Sequence, residues 1–246
     1  MKLKHISHLI TGSVMELFGV MADGKVVNSY ELTNKRGAKL KVINYGATVI
    51  SLKMPLKSGE MVDVVLGFDT LENYINSFDL ESAPYLGATV GRYAGRINNA
   101  TFNLNGEIIH LDKNNNGHSL HGGKDNFSKK VWEVKNVNEG CSPSITFSYL
   151  SPANEGNYPG DLSVELTYTL SENNELIIEY IAQTTEDTVL NLTHHSYFNL
   201  DGHDSSVSEQ ELIVNSHKML ETTTENIPTG RVLNLENNAF DFNQPK

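Results

Sequence analysis

Turn signals recur through this chain at short intervals, and they constrain its fold more than any other feature. Asp23-Gly24, Asn34-Lys35-Arg36-Gly37, Lys57-Ser58-Gly59, Asn105-Gly106, Asn114-Asn115-Asn116-Gly117 and Glu172-Asn173-Asn174 punctuate it. Between them lie short runs that alternate or are rich in β-formers: Lys39–Ile43, Thr48–Leu52, Thr101–Leu104, Val164–Leu170 and Glu175–Tyr180. Asn-Gly and Asp-Gly pairs supply the positive φ that tight hairpin turns require, so strands joined through them read as antiparallel neighbours. Thr101–Leu104 and Ile108–Leu111 are predicted to form one hairpin around Asn105-Gly106. Leu166–Leu170 and Leu176–Tyr180 are predicted to form another, joined by Ser171–Glu175. Helical periodicity is almost absent. Only Leu71–Ile75 suggests one or two helical turns, with Asp69 or Thr70 as the cap. There is no internal repeat and no Pro/Ser linker. The expectation is a single all-β domain over residues 1–246, a sandwich or a barrel.

The formal charge bounds the partners. At −11, with a pI near 5.2, the chain would be repelled by nucleic-acid phosphates and by an anionic membrane surface. A neutral ligand fits best, and an anionic one needs a local basic pocket. The lone Cys141 rules out an intramolecular disulfide framework. Residues 1–12 contain no apolar segment of signal-peptide length, and no stretch approaches the roughly 20 apolar residues of a membrane helix. A soluble, cytoplasmic protein is expected.

Four segments carry chemistry. In Asn191–Leu200 two adjacent histidines end a strand-like run, and alternation sends His194 and His195 to opposite faces. His195, Tyr197 and Asn199 would share a face offering an acid/base group, an aromatic and an amide, a surface suited to a polar ring. Histidine titrates near neutrality, so His195 is the candidate to give a proton to an ether oxygen and retrieve it, while His194 reads as a structural histidine. In Gly91–Ile97, Arg92 and Arg96 are either ordinary surface cations or forked donors for a hydroxyl pair or carboxylate. In His118-Ser119-Leu120-His121-Gly122-Gly123 the spacing hints at metal, but two imidazoles without further ligands are too few, and no metal is expected. The glycines permit an irregular backbone and close approach to a ligand, which makes His121 a binding candidate. Glu155–Leu162 reads as a shaped loop in which Pro159 and Gly160 turn the chain and Tyr158 and Glu155 could line a site.

Taken in order, Asn44–Ala47, Gly91–Ile97, Leu120–Gly123, Gly156–Gly160, His194–Leu200, Ile227–Gly230 and Phe240–Phe242 resemble the aldose 1-epimerase (galactose mutarotase) family along nearly the whole chain. The resemblance implies a large antiparallel β-sandwich, or supersandwich. It also implies interconversion of the α and β anomers of aldohexoses, glucose or galactose, without cofactor or metal. It assigns the general acid to His195 and substrate contacts to His121 and Arg96, and it makes Arg92 a structural partner. Tyr197 joins the substrate face. His194 and Gly95 stand where asparagine is common in the family. The family's general-base glutamate belongs to a region expected beyond Lys246, so the domain is read as C-terminally incomplete. Glu155, Glu186, Glu221 and Glu225 do not sit in the base's context. A sugar-binding remnant without turnover and a hexose-6-phosphate 1-epimerase are the alternatives, and the second would need extra cations around the pocket.

Overall fold

In the computed structural model, which describes residues 8–10 and 13–246, the chain opens as an antiparallel meander. Strands β1 (His8–Ile10), β2 (Ser13–Val20), β3 (Val26–Thr33), β4 (Lys39–Ile43), β5 (Thr48–Pro55) and β6 (Met61–Asp63) lie side by side in chain order. Helix α1 (Leu71–Ser77) follows. Of the two predicted caps it uses Thr70, whose hydroxyl accepts from Asn73 N–H at 3.2 Å. Its buried Leu71 and Tyr74 pack on Val27, Ile43, Tyr45 and Ile50.

Short pairs then build the middle of the chain. They comprise β7 (Thr89–Val90), β8 (Arg96–Ile97), the hairpin β9 (Thr101–Leu104) with β10 (Glu107–His110), and β11 (Ser119–Leu120), which pairs with β8. A second meander follows: β12 (Glu133–Asn138), β13 (Ser144–Ser151), β14 (Leu162–Leu170) and β15 (Leu176–Thr184). Strand β16 (Thr193–His194) returns to pair with β7, and β17 (Lys218–Thr222) with β18 (Pro228–Asn234) forms a last, largely exposed hairpin.

The two meanders face each other across one core, as a sandwich requires. Strand β14 shows the cause. Its alternate residues Leu162, Val164, Leu166, Tyr168 and Leu170 are all buried, and they meet Leu32, Leu40, Val42 and Val49 of the first sheet. Burial of each large apolar side chain contributes about 1.5–3 kcal/mol before the entropy of ordering it is subtracted. Trp132 and Phe127 close the end of this core, with the indole N–H donating to Phe127 O at 3.2 Å. Both predicted hairpins are present, and of the sandwich or barrel that the turn spacing allowed, the sandwich implied by the family resemblance is the architecture. Among the described residues no helix is long and apolar enough to cross a membrane.

Candidate active site

Two histidines meet at the ends of two of these short strands. His121 directly follows β11 and His195 directly follows β16. Strands β7 and β8, their pairing partners, flank the Gly91–Gly95 loop, so this loop ties the two histidine segments together. Asn191 N–H donates to Arg92 O, Ala94 N–H to Asn191 O, and His121 N–H to Gly95 O. His195 is held by its main chain, donating to Ala88 O and accepting from Gly87 N–H, each at 3.0 Å. The imidazole centroids of His121 and His195 lie 5.4 Å apart, edge to face. Tyr85 packs on both, at 4.9 Å from His121 and 5.9 Å from His195, and Tyr197 covers His195 at 5.3 Å. Cross-strand register sets Arg96 opposite Leu120, next to His121, and Asn115 holds its guanidinium through an Nε–Oδ1 hydrogen bond of 2.9 Å.

These residues wall a cavity of about 560 Å³, within the usual range for a small-molecule site. Arg96, His121, His195 and Tyr197, the four residues singled out from the sequence, all line it. A second cleft, formed by Gly95, Asn191, His194 and Ser196 among others, reaches the same two histidines.

Hydrogen bonding separates the three histidines. His121 Nδ1 accepts from Gly95 N–H at 3.1 Å, so the proton of the neutral ring sits on Nε2. Burial, then the neighbouring His195 and Arg96 charges, hold the His121 pKa down at about 4, so the ring is neutral at pH 7 and offers a donor. His194 points the other way, as strand alternation predicted, with its ring between the Tyr168 hydroxyl at 3.3 Å and Ser196 Oγ at 2.6 Å. The Tyr168 hydroxyl spends its proton on Ala47 O at 2.7 Å, so it accepts from His194 Nδ1–H, and Ser196 donates to Nε2. Burial, reinforced by His195, lowers the His194 pKa to about 4 as well. Among the described residues the His195 ring makes no hydrogen bond. It alone of the three has both nitrogens available to a ligand.

Several expectations need correction. Asn199 does not share the face of His195 and Tyr197. Strand β16 ends at His194, the chain bends, and Asn199 turns inward, donating to Ser205 O at 2.8 Å and accepting from Gln210 Nε2 at 2.6 Å. Tyr158 and Glu155 do not line the cavity. Tyr158 is buried on Phe102, and the Glu155 carboxylate is taken up by Tyr149, Ser151 and Lys130. Arg92 is no surface cation. It is 2% exposed and donates to Ser151 Oγ and to the carbonyls of Ser151, Pro152, Pro159 and Gly160, each at 2.9 Å. It clamps the Pro159–Gly160 turn and agrees with the structural role the resemblance implied. The close approach allowed by Gly122 is to the protein itself, since a Cβ there would lie 2.1 Å from Gly91 O.

His118 does not join His121 on one ligand. Its Nδ1 accepts from Asn99 N–H at 3.0 Å and its Nε2 faces Glu225 at 3.5 Å. Among the described residues no group of three or more His, Cys, Asp or Glu side chains could hold a metal ion. Among the described residues Glu81 is the one carboxylate on the cavity wall, while Glu221 is bound to Arg231 and Thr229. Tyr85 was missed from the sequence. The signal available was an aromatic between Pro84 and the Leu86-Gly87 turn, a place where a large ring has little reason to be unless it packs on something.

Comparison with known proteins identifies the relatives of this chain. The family model described as aldose 1-epimerase matches residues 28–246. The chain is 38% identical over 231 residues to galactose mutarotase of Homo sapiens, which covers 93% of this chain and 64% of that protein. It is 37% identical over 226 residues to aldose 1-epimerase of Haemophilus influenzae, covering 89% and 62%. Among solved structures, the galactose 1-epimerase of Lactobacillus acidophilus superposes with a TM-score of 0.82 at 26% identity, over 95% of this chain and 66% of that one. The GalM/aldose epimerase homologue of C. elegans gives a TM-score of 0.79 at 36% identity, over 88% and 64%. The chain thus spans less than two thirds of the length of the relatives it matches.

Proposed function

This chain belongs to the aldose 1-epimerase family, and we propose that it works on an aldohexose in the His121–His195 cavity, interconverting the α and β anomers. The observation that carries this reading is the contrast between the two rings. His121 is neutral with a fixed Nε2–H donor, and beside it the His195 ring faces the cavity with no hydrogen bond among the described residues. In the reaction His195 protonates the ring oxygen while a base removes the proton of the anomeric hydroxyl. The C1–O5 bond breaks, the aldehyde rotates about C1–C2, and closure on its other face returns the O5 proton to His195 and the base's proton to the C1 oxygen. A positioned acid of this kind contributes about 10²–10⁴-fold. His121 and Arg96 donate to sugar hydroxyls and stabilise charge developing on oxygen, and the exposed ring of Tyr197 offers an apolar face to the pyranose.

The base has no counterpart of equal quality among the described residues. His121 holds its remaining nitrogen as a donor, and Glu81 is an exposed carboxylate. That observation favours a second reading, sugar binding without turnover. Polarimetry on fresh α-D-galactose and α-D-glucose with the 246-residue protein separates the two. Acceleration over buffer that disappears in His195→Ala supports the epimerase. Saturable binding of galactose by ligand-observed NMR without acceleration supports the second. Neither acceleration nor binding, from protein with a cooperative unfolding transition, overturns both.

A further inference from the structure

Ser196 and His194 form an arrangement that anomer interconversion leaves unused. Ser196 Oγ donates to His194 Nε2 at 2.6 Å, the only Ser–His hydrogen bond among the described residues. Behind the ring stands the Tyr168 hydroxyl, 3.3 Å away, which gives its own proton to Ala47 O and therefore accepts from His194 Nδ1–H. That order fixes the tautomer, with the proton on Nδ1 and the lone pair of Nε2 turned to the serine. Burial keeps the ring neutral at pH 7, so the lone pair can take the serine proton. A hydroxyl, an imidazole within hydrogen-bond reach and a third group that orients the imidazole are the parts by which a serine is activated as a nucleophile.

The pair also faces open space. Ser196 and His194 are part of the wall of the second cleft, about 500 Å³, together with His121 and Gly95. Gly95 keeps the cleft open, because a Cβ there would meet nothing within 4 Å. Donors for a developing oxyanion stand close by. His121, on the same wall, holds its proton on Nε2, and the main-chain N–H groups of Ser196 and Tyr197 make no hydrogen bond among the described residues. Ala94 and Leu192 are the only aliphatic side chains on this wall, so it suits a short acyl group and offers no channel for a long one.

We propose that Ser196 is a nucleophile, with His194 as its base, that transfers short acyl groups from carboxylic esters to water. Ser196 Oγ bonds to the ester carbonyl carbon as its proton passes to His194 Nε2. The bond from that carbon to the alcohol oxygen then breaks, and the same proton leaves on the alcohol. Water attacks the acyl-serine and gives one proton to His194, which returns it to Ser196 Oγ as the carboxylic acid departs. A hydroxyl behind the imidazole stabilises the imidazolium less than a carboxylate would, so turnover is slow and formation of the acyl-serine is the step to measure. Neither residue takes part in ring opening at His195, so failure of one activity leaves the other standing.

The test treats the 246-residue protein with 4-nitrophenyl acetate and, separately, with a fluorophosphonate, and locates the modified residue by peptide mass spectrometry. A burst of 4-nitrophenol approaching one per chain is expected, with the acetyl group and the phosphonate both on Ser196. S196A should abolish both modifications. H194N, which installs the amide common at this position in the family, should slow them by about 10²-fold or more, since an amide cannot take the serine proton. Modification of Ser196 at an unchanged rate in H194N would overturn the role of His194. Modification only at other residues, or none on protein with a cooperative unfolding transition, would overturn the proposal altogether. If both variants fail to fold, the residue modified in the unaltered protein decides by itself.

Discussion

Replacing Gly122 by alanine isolates the contact on which the placement of His121 depends. Gly122 has φ +89°, and a Cβ added there would meet Gly91 O at 2.1 Å, Gly91 C at 2.6 Å and Arg92 N at 2.8 Å. All three are backbone atoms of the loop that joins the two histidine segments, so none can swing aside as a side-chain tip would. The backbone conformation alone costs alanine about 1–2 kcal/mol, and forcing an extra carbon into a packed contact costs about 1–3 kcal/mol more. Gly106 in the β9–β10 turn is the control, because its φ is also +89° but a Cβ there meets nothing within 4 Å. Gly106→Ala should therefore lose only the conformational part, and Gly122→Ala should exceed it by about 1–3 kcal/mol. Urea unfolding followed by the fluorescence of Trp132, the only tryptophan and a buried one, reads both. Equal losses in the two variants would refute the argument that the Gly91 loop and the His121 turn are in contact through Gly122.

Other predictions concern the site and its supports. His195→Ala should abolish any acceleration of anomerisation with little change in galactose affinity, whereas His121→Ala should weaken both, as polarimetry and NMR titration would show. Arg92→Lys should cost about 3 kcal/mol in urea unfolding, because one ammonium cannot satisfy five acceptors, three of them in buried contacts; a loss under about 0.5 kcal/mol would deny Arg92 its clamping role. The depressed pKa values of His121 and His194 give a pH dependence of fixed sign. Their neutral forms contribute stability that is fully present above the unfolded value near 6.5 and is lost as pH falls through about 4, because the unfolded chain binds the extra protons. His194→Asn should flatten the fall between those limits by up to about 1.4 kcal/mol per pH unit, and an unchanged slope would mean that His194 already carries its proton in the native state.

The fold was legible where local chemistry and tertiary packing agree. Asn105-Gly106 placed its hairpin because the turn requires positive φ, and the alternation of Val164–Leu170 marked the inward face of β14 because one face of that strand is buried. The site was legible as residues and not as geometry. Arg96, His121, His195 and Tyr197 were all singled out and all share one cavity, yet Asn199 was carried along by extending strand alternation past the point where the strand stops. Arg92 shows the same limit from the other side. Nothing local distinguishes a guanidinium that meets solvent from one that meets four carbonyls supplied by residues about 60 positions away. Tyr85 escaped notice because its meaning is collective. It is ordinary in its own segment and informative only once the loops bring it against His121 and His195.

His118 and His121 make that limit specific. The spacing His-x-x-His is shared by metal-binding pairs, and nothing in the interval says where the rings point. In the structure each ring accepts a backbone N–H at Nδ1, from Asn99 and from Gly95, which leaves only Nε2 on either ring for another partner. His118 Nε2 is turned to Glu225 and His121 Nε2 remains for the cavity, so the two free nitrogens serve different neighbours. The same Nδ1 hydrogen bond that denies the pair a shared ion fixes the His121 tautomer as a donor. Burial keeps His121 neutral, and likewise His194 on the far side of its strand, while the His195 ring makes no hydrogen bond among the described residues and stays open to the cavity. Two adjacent histidines and a third from a distant turn are thus set apart by their surroundings, although their side chains are chemically identical.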